Sequence, residues 1–104
     1  MSLAVAAAVS VNTATWTTVA TVTGDGTKQL IGGCASCDGD ATVAFEVRIQ
    51  INAVNVVAPF RVLAGQAGVV YDSPTTIPNA QACIIQVLHA AGSAKTFSAT
   101  LFGS

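Results

Sequence analysis

The chain predicts an all-β fold, an antiparallel β-sandwich of the eight-stranded jelly-roll kind, and three observations carry that expectation. Residues 41–52 alternate with a strict period of two: Val43, Phe45, Val47, Ile49 and Ile51 fall on one side, and Thr42, Ala44, Glu46, Arg48, Gln50 and Asn52 on the other. Such a pattern belongs to a long strand with one dry face. Turn signals recur along the whole chain at roughly 8–12 residues, the spacing of a sandwich or barrel. No segment shows a 3.6-residue apolar period capped at both ends, so no helix is expected.

The elements follow in order. Residues 1–13 are expected to form an N-terminal arm or edge strand, and residues 14–104 a single sandwich domain. The stretch 13–22 is rich in Thr and Val and includes Trp16, types that suit a pleated surface. Gly24-Asp25-Gly26 predicts a tight turn into a strand at 28–31. After the long strand, a turn at Asn52-Ala53 leads into 54–63, where Pro59 demands an edge or bulged strand. A short strand at 68–71 is expected to end at Asp72-Ser73-Pro74, with 74–78 as a loop. Residues 82–89 lean apolar on both faces (Cys83, Ile85 and Val87 against Ala82, Ile84 and Gln86), which places that strand centrally. Ala91-Gly92-Ser93 turns the chain into 96–102, with Phe97, Ala99 and Leu101 facing inward.

Charge is the unusual part of the composition. Only 9% of the 104 residues are charged: Lys28, Arg48, Arg61 and Lys95 against Asp25, Asp38, Asp40, Glu46 and Asp72. An ordinary soluble domain carries roughly 25%. The exterior must therefore consist largely of Thr, Ser, Asn, Gln, Ala and Gly, which shed water at little cost when a neighbour covers them. Four scattered cations release too few counterions to hold a nucleic acid backbone and form no patch for an anionic membrane. The apolar start, Leu3 to Val9, lacks the positive n-region of a signal peptide and is too short to span a bilayer. A protein made in the cytosol is the expectation.

The residues capable of chemistry do not assemble into a known device. Cys34-Ala35-Ser36-Cys37 has redox spacing, but Gly32-Gly33 before it and Asp38-Gly39-Asp40 after it predict a loop beside carboxylates, which raise a thiol's pKa. A loop disulfide between Cys34 and Cys37, or two inert thiols, fits better, with Cys83 as a small core hydrophobe. Zinc held by Cys34, Cys37, Cys83 and His89 fails on geometry, because six residues of strand separate the last two by about 20 Å. His89 is expected at a strand end with a wet imidazole, and Asp72-Ser73 lacks the glycine elbow of a nucleophilic serine. Asp25, Asp38, Asp40 and Asp72 lie in turn contexts where Asp bonds its own backbone. Asp38 and Asp40 with loop carbonyls form a weak calcium pattern. Phe45, Phe60, Phe97 and Phe102 read as core. Trp16, if exposed, would serve as an interface anchor or a sugar-stacking ring. Glu46 and Arg48 share the outer face of the long strand and are expected to pair weakly there. No catalytic residue, metal or cofactor is assigned.

The size, the Gly24-Asp25-Gly26 turn, the long strand at 41–52 and the closing pair at 82–89 and 96–102 resemble the small jelly-roll decoration (cement) proteins of tailed-bacteriophage heads. The resemblance covers residues 13–104 and contains no residue motif. It implies a homotrimer on the capsid exterior that bridges major capsid proteins, with Leu3, Val5 and Val9 of an apolar arm, together with Trp16, Glu46 and Arg48, as interface. The Cys34–Cys37 pair departs from anything that family requires. A receptor- or carbohydrate-binding sandwich of a tail fibre or adhesin, using Trp16 or Tyr71, is the alternative.

Overall fold

The computed structural model describes residues 3–12, 14–38 and 42–104, with backbone alone for residues 3–6, 72 and 73. The described residues form eight strands and no helix: β1 (Leu3–Val11), β2 (Thr17–Thr23), β3 (Gln29–Cys37), β4 (Phe45–Ile51), β5 (Val54–Val62), β6 (Gly68–Thr76), β7 (Ala82–His89) and β8 (Lys95–Gly103). They make two four-stranded antiparallel sheets, A in the order β1-β8-β3-β6 and B in the order β2-β7-β4-β5. The pairing is nested: β1 with β8, β2 with β7, β3 with β6 and β4 with β5. A long hairpin whose tip is the β4–β5 turn, rolled up so that successive rungs alternate between sheets, has this pattern. The tip itself is Asn52-Ala53, with φ of 51° and 63°. Positive φ at both central residues matches the right-handed twist of the flanking strands.

Sheets A and B close on a common core. Val47, Ile49, Ile85, Val87, Phe97 and Leu101 are fully enclosed, and Phe45 meets Phe97 edge-on at 5.0 Å between centroids. The inward row of β4 is the alternating set seen in the sequence, and β7 lies between β2 and β4 as a central strand. β5 is both an edge strand and bulged: the step from Val47 to Ile49 spans Phe60 to Val57 on its partner. That step holds Pro59, which cannot donate to a ladder.

Several expectations are corrected. β2 begins at Thr17 rather than residue 13, because Ala14 turns through a φ of 57° and donates its N–H to the His89 carbonyl. Trp16 therefore precedes the strand. β4 begins at Phe45, and residues 39–41 lie outside the described part. The Gly24–Gly26 turn does not make a hairpin; it carries the chain from sheet B to sheet A. β3 runs on through Cys37 and β6 through Thr76, so the cysteine pair and Pro74 lie on strands, not loops. β6 is an edge strand and swells at residues 72–74: Leu30 pairs with Thr75 but Gly32 with Tyr71. An edge with a bulge is where a sheet tolerates proline. Gly32-Gly33, read as loop, are strand glycines; a Cβ on Gly32 would stand 2.1 Å from the Val70 carbonyl oxygen.

Candidate interaction surfaces

The two sheets present outer faces of opposite character. On sheet B, Arg48 of β4 lies opposite Gln86 of β7, which lies opposite Thr18 of β2. Arg48 Nε donates to Gln86 Oε1 at 2.7 Å, and Gln86 Nε2 donates to Thr18 Oγ1 at 3.1 Å. The Arg48 guanidinium carbon stands 4.2 Å from the centroid of the Trp16 ring, a cation–π contact that half-buries the indole. One row along, Glu46 lies between Leu88 and Arg61. Another row joins Gln50 Nε2 to Asn55 Oδ1 at 2.9 Å. Arg48 thus bonds across strands to Gln86, which corrects the expected Glu46–Arg48 pairing: residues two apart on one strand lie farther apart than cross-strand neighbours.

Among the described residues, sheet A's outer face shows no such lattice. Its rows run from Phe102 of β8 through Gly32 of β3 to Tyr71 of β6, then Thr100, Cys34 and Val69, then Ala8, Ser98 and Ser36. None of these residues is Asp, Glu, Lys, Arg or His. Asp38, just past the end of β3, closes the face and accepts the Ser98 hydroxyl. Tyr71 and Phe102 meet edge-on at 5.3 Å across the bare glycine, and Tyr71 is 74% exposed. Val69 beside it is 53% exposed. Phe102, expected in the core, belongs to this face because even-numbered β8 residues point outward.

The sequence-derived interface residues are thus divided. Trp16 and Arg48 come together on sheet B, with Glu46 one row away. Leu3, Val5 and Val9 lie on β1, a strand of sheet A, and Val9 packs against the core, so it is not a docking side chain. The Cys34–Cys37 disulfide is corrected too. No disulfide joins them, and their side chains leave β3 on opposite faces, Cys37 toward the core and Cys34 outward. Cys83 is enclosed on β7, and burial pushes its thiol up to about 11.

His89 is 3% exposed rather than wet. Its Nδ1 accepts the Ala91 N–H at 3.2 Å, which leaves Nε2 to donate to the Val11 carbonyl at 2.8 Å, and its ring tilts against Phe97. The imidazole ties sheet A to sheet B, and the backbone engages both nitrogens. Beside it, at the end of the sandwich, a cavity of about 560 Å³ is lined by Phe45, Leu88, Glu46, Arg61 and Lys95 among others. No local pattern points to it, since its lining comes from β4, β5, β7, the start of β8 and the loops around them. Among the described residues no three of His, Cys, Asp and Glu gather as metal ligands. Asp40 of the calcium pattern lies outside the described residues.

Asp25 anchors the crossover between sheets. Its Oδ1 accepts the Thr27 hydroxyl at 2.7 Å, the Thr27 N–H at 2.8 Å and the Lys28 N–H at 3.0 Å. Those donors, the Thr27 hydroxyl foremost, hold its carboxyl at about 2, below the usual 3.8. No protein-family model and no curated protein matches the chain.

Proposed function

We propose that the chain is a structural assembly subunit: a decoration subunit on the exterior of a viral capsid, trimeric, bridging the major capsid proteins beneath it. The charge-poor outer face of sheet A, in its described rows, carries this reading. Described rows of Thr, Ser, Cys, Gly and Val with two aromatic rings leave few ions to strip of water, the Asp38 carboxylate at the margin being one, so a flat neighbour can cover them at small desolvation cost. Tyr71 of the aromatic pair is of a type enriched among interface anchors. The nested pairing of eight strands is that of a jelly roll, a fold common among capsid domains, and it supports the resemblance drawn from the sequence. Stabilisation would come from area and multivalency, each contact raising the local concentration for the next.

The test uses purified chain and shells that lack it. Light scattering is expected to give a trimer, and shells that take up the chain are expected to survive heating that opens bare ones. A monomer at high concentration with no affinity for shells would overturn the reading.

A second reading has an observation of its own. Tyr71 offers an open ring braced by Phe102, which suits a sugar-stacking platform in a receptor-binding sandwich. A glycan array separates the two: hits lost in Tyr71→Ala favour carbohydrate binding, and an array without hits dismisses it.

A further inference from the structure

A sandwich of two open sheets has four edge strands, and an edge exposes unpaired N–H and C=O groups that invite another strand. Three of the four edges here are blunted. β5 has Pro59, Arg61 and two register shifts; β6 has Pro74 and the swelling at 72–74; β2 has a shift between Thr18 and Ala20. β1 has none of these. It pairs with β8 over nine consecutive residues without a shift, and contains no proline and no charge.

The sequence of β1 indicates what it would pair with. Leu3-Ala4-Val5-Ala6-Ala7-Ala8-Val9-Ser10-Val11 reads nearly the same in both directions about Ala7. Laid antiparallel on a second copy of itself with Ala7 opposite Ala7, the strand sets Val5 opposite Val9, Ala6 opposite Ala8, Ala4 opposite Ser10 and Leu3 opposite Val11. A slip of two residues would set Val9 opposite Ala7 and leave the ends unpaired. A slip of one would turn the strand over, core side outward.

The backbone parity agrees. Asp38 donates its N–H to the Thr96 carbonyl, so even-numbered β8 residues bond toward β3 and odd-numbered ones toward β1. In the β1–β8 register odd residues oppose odd. Ala4, Ala6, Ala8 and Ser10 therefore turn their N–H and C=O groups to the open edge, and in the self-paired register these four oppose one another across the two-fold.

We propose that β1 is a self-pairing edge: two copies join β1 to β1 antiparallel about a two-fold axis at Ala7, fusing two A sheets into one eight-stranded sheet. About eight backbone hydrogen bonds would form, two at each facing pair. The charge-poor outer face then continues from one copy to the other. The contact is isologous and closes at two, so it links copies in pairs whichever other face a trimer uses.

The experiment is amide hydrogen exchange on the full chain at low and high concentration, with light scattering alongside. The amides of Ala6, Ala8 and Ser10 are expected to gain at least tenfold protection on concentration, while those of Ala7, Val9 and Val11, already bonded to β8, stay unchanged. The mass is expected to double on concentration, from one chain to two or, where a trimer forms through another face, from three chains to six. Ala8→Pro removes one donor that faces only the open edge, and should abolish the doubling with an unchanged β-sheet circular dichroism spectrum. Ala8→Lys, which keeps the amide, should weaken it at least tenfold should the proline variant not fold. A mass that never doubles, even-residue protection independent of concentration, or doubling that survives both substitutions would overturn the proposal. Doubling by a chain that has no affinity for shells would uphold it while the capsid reading falls.

Discussion

The outer faces of the two sheets are built from similar numbers of strands on one core, yet they handle polarity in different ways. Sheet B satisfies its polar groups laterally. Arg48, Gln86 and Thr18 bond in a row across three strands, and Trp16 covers the guanidinium. The described rows of sheet A carry mostly small neutral side chains, with one polar bond from Ser98 to Asp38 at the margin, and leave Tyr71 and Val69 in the open. A face that satisfies itself gains little from a partner; a face with few charges loses little by being covered. In a chain with nine charged residues, that division decides which side is available for assembly.

The largest expected effect tests the premise that both faces rest on one core. Phe97 is fully buried on β8 and touches Phe45 of sheet B and the His89 ring. Phe97→Ala should cost about 3–5 kcal/mol. Urea unfolding followed by Trp16 fluorescence and by circular dichroism should still give one coincident transition, at lower midpoint. Two separated transitions would mean that the sheets are independent.

Next is the lattice itself. Arg48→Ala leaves Gln86 Oε1 without its donor and uncovers Trp16, at a cost of about 1–2 kcal/mol and with a red-shifted Trp16 emission. Ser36→Ala on sheet A should move stability by less than about 0.5 kcal/mol. Equal costs on the two faces would erase the contrast.

Thr100→Lys sharpens the comparison from the other side. Thr100 lies mid-face on sheet A opposite Cys34. A charge there should change the urea midpoint little while weakening shell association at least tenfold, because covering it requires stripping an ion of water. Unchanged association would place assembly on another face.

The smallest effect belongs to the crossover between the sheets. The Asp25 carboxyl lies at about 2 in the fold against an ordinary 3.8, so the folded chain holds the proton less tightly than the unfolded one. The stabilisation is present above about pH 4 and is lost as pH falls toward 2. Thermal unfolding across that range should fall less steeply in Asp25→Asn than in the parent chain.

Much of this architecture was legible in the chain because the cues were local. The strict alternation around Val47 and Ile49 fixed a half-buried strand, and Pro59 restricted its partner to an edge. The failures have a common cause in residues whose strand character depends on neighbours. Gly32-Gly33-Cys34-Ala35-Ser36-Cys37 lacks the bulky β-formers of β4, so it reads as loop; it is strand because β6 and β8 approach it too closely for anything larger. Pro74 is tolerated only because β6 lies at an edge and swells there. His89 is dry because the Val11 carbonyl, 78 residues away, reaches its ring from the other sheet.

What the sequence determined by itself was the all-β class, the inward rows of β4, β7 and β8, and an exterior short of charge, since period, turn chemistry and composition act over a few residues. Only the tertiary structure decided which strand stands beside which. From that came the gathering of Arg48, Gln86, Thr18 and Trp16 on one face, the shortage of charge on the other, and the position of β1 at an open edge. Strand neighbours in a rolled hairpin are far apart in the chain, and no local pattern encodes them.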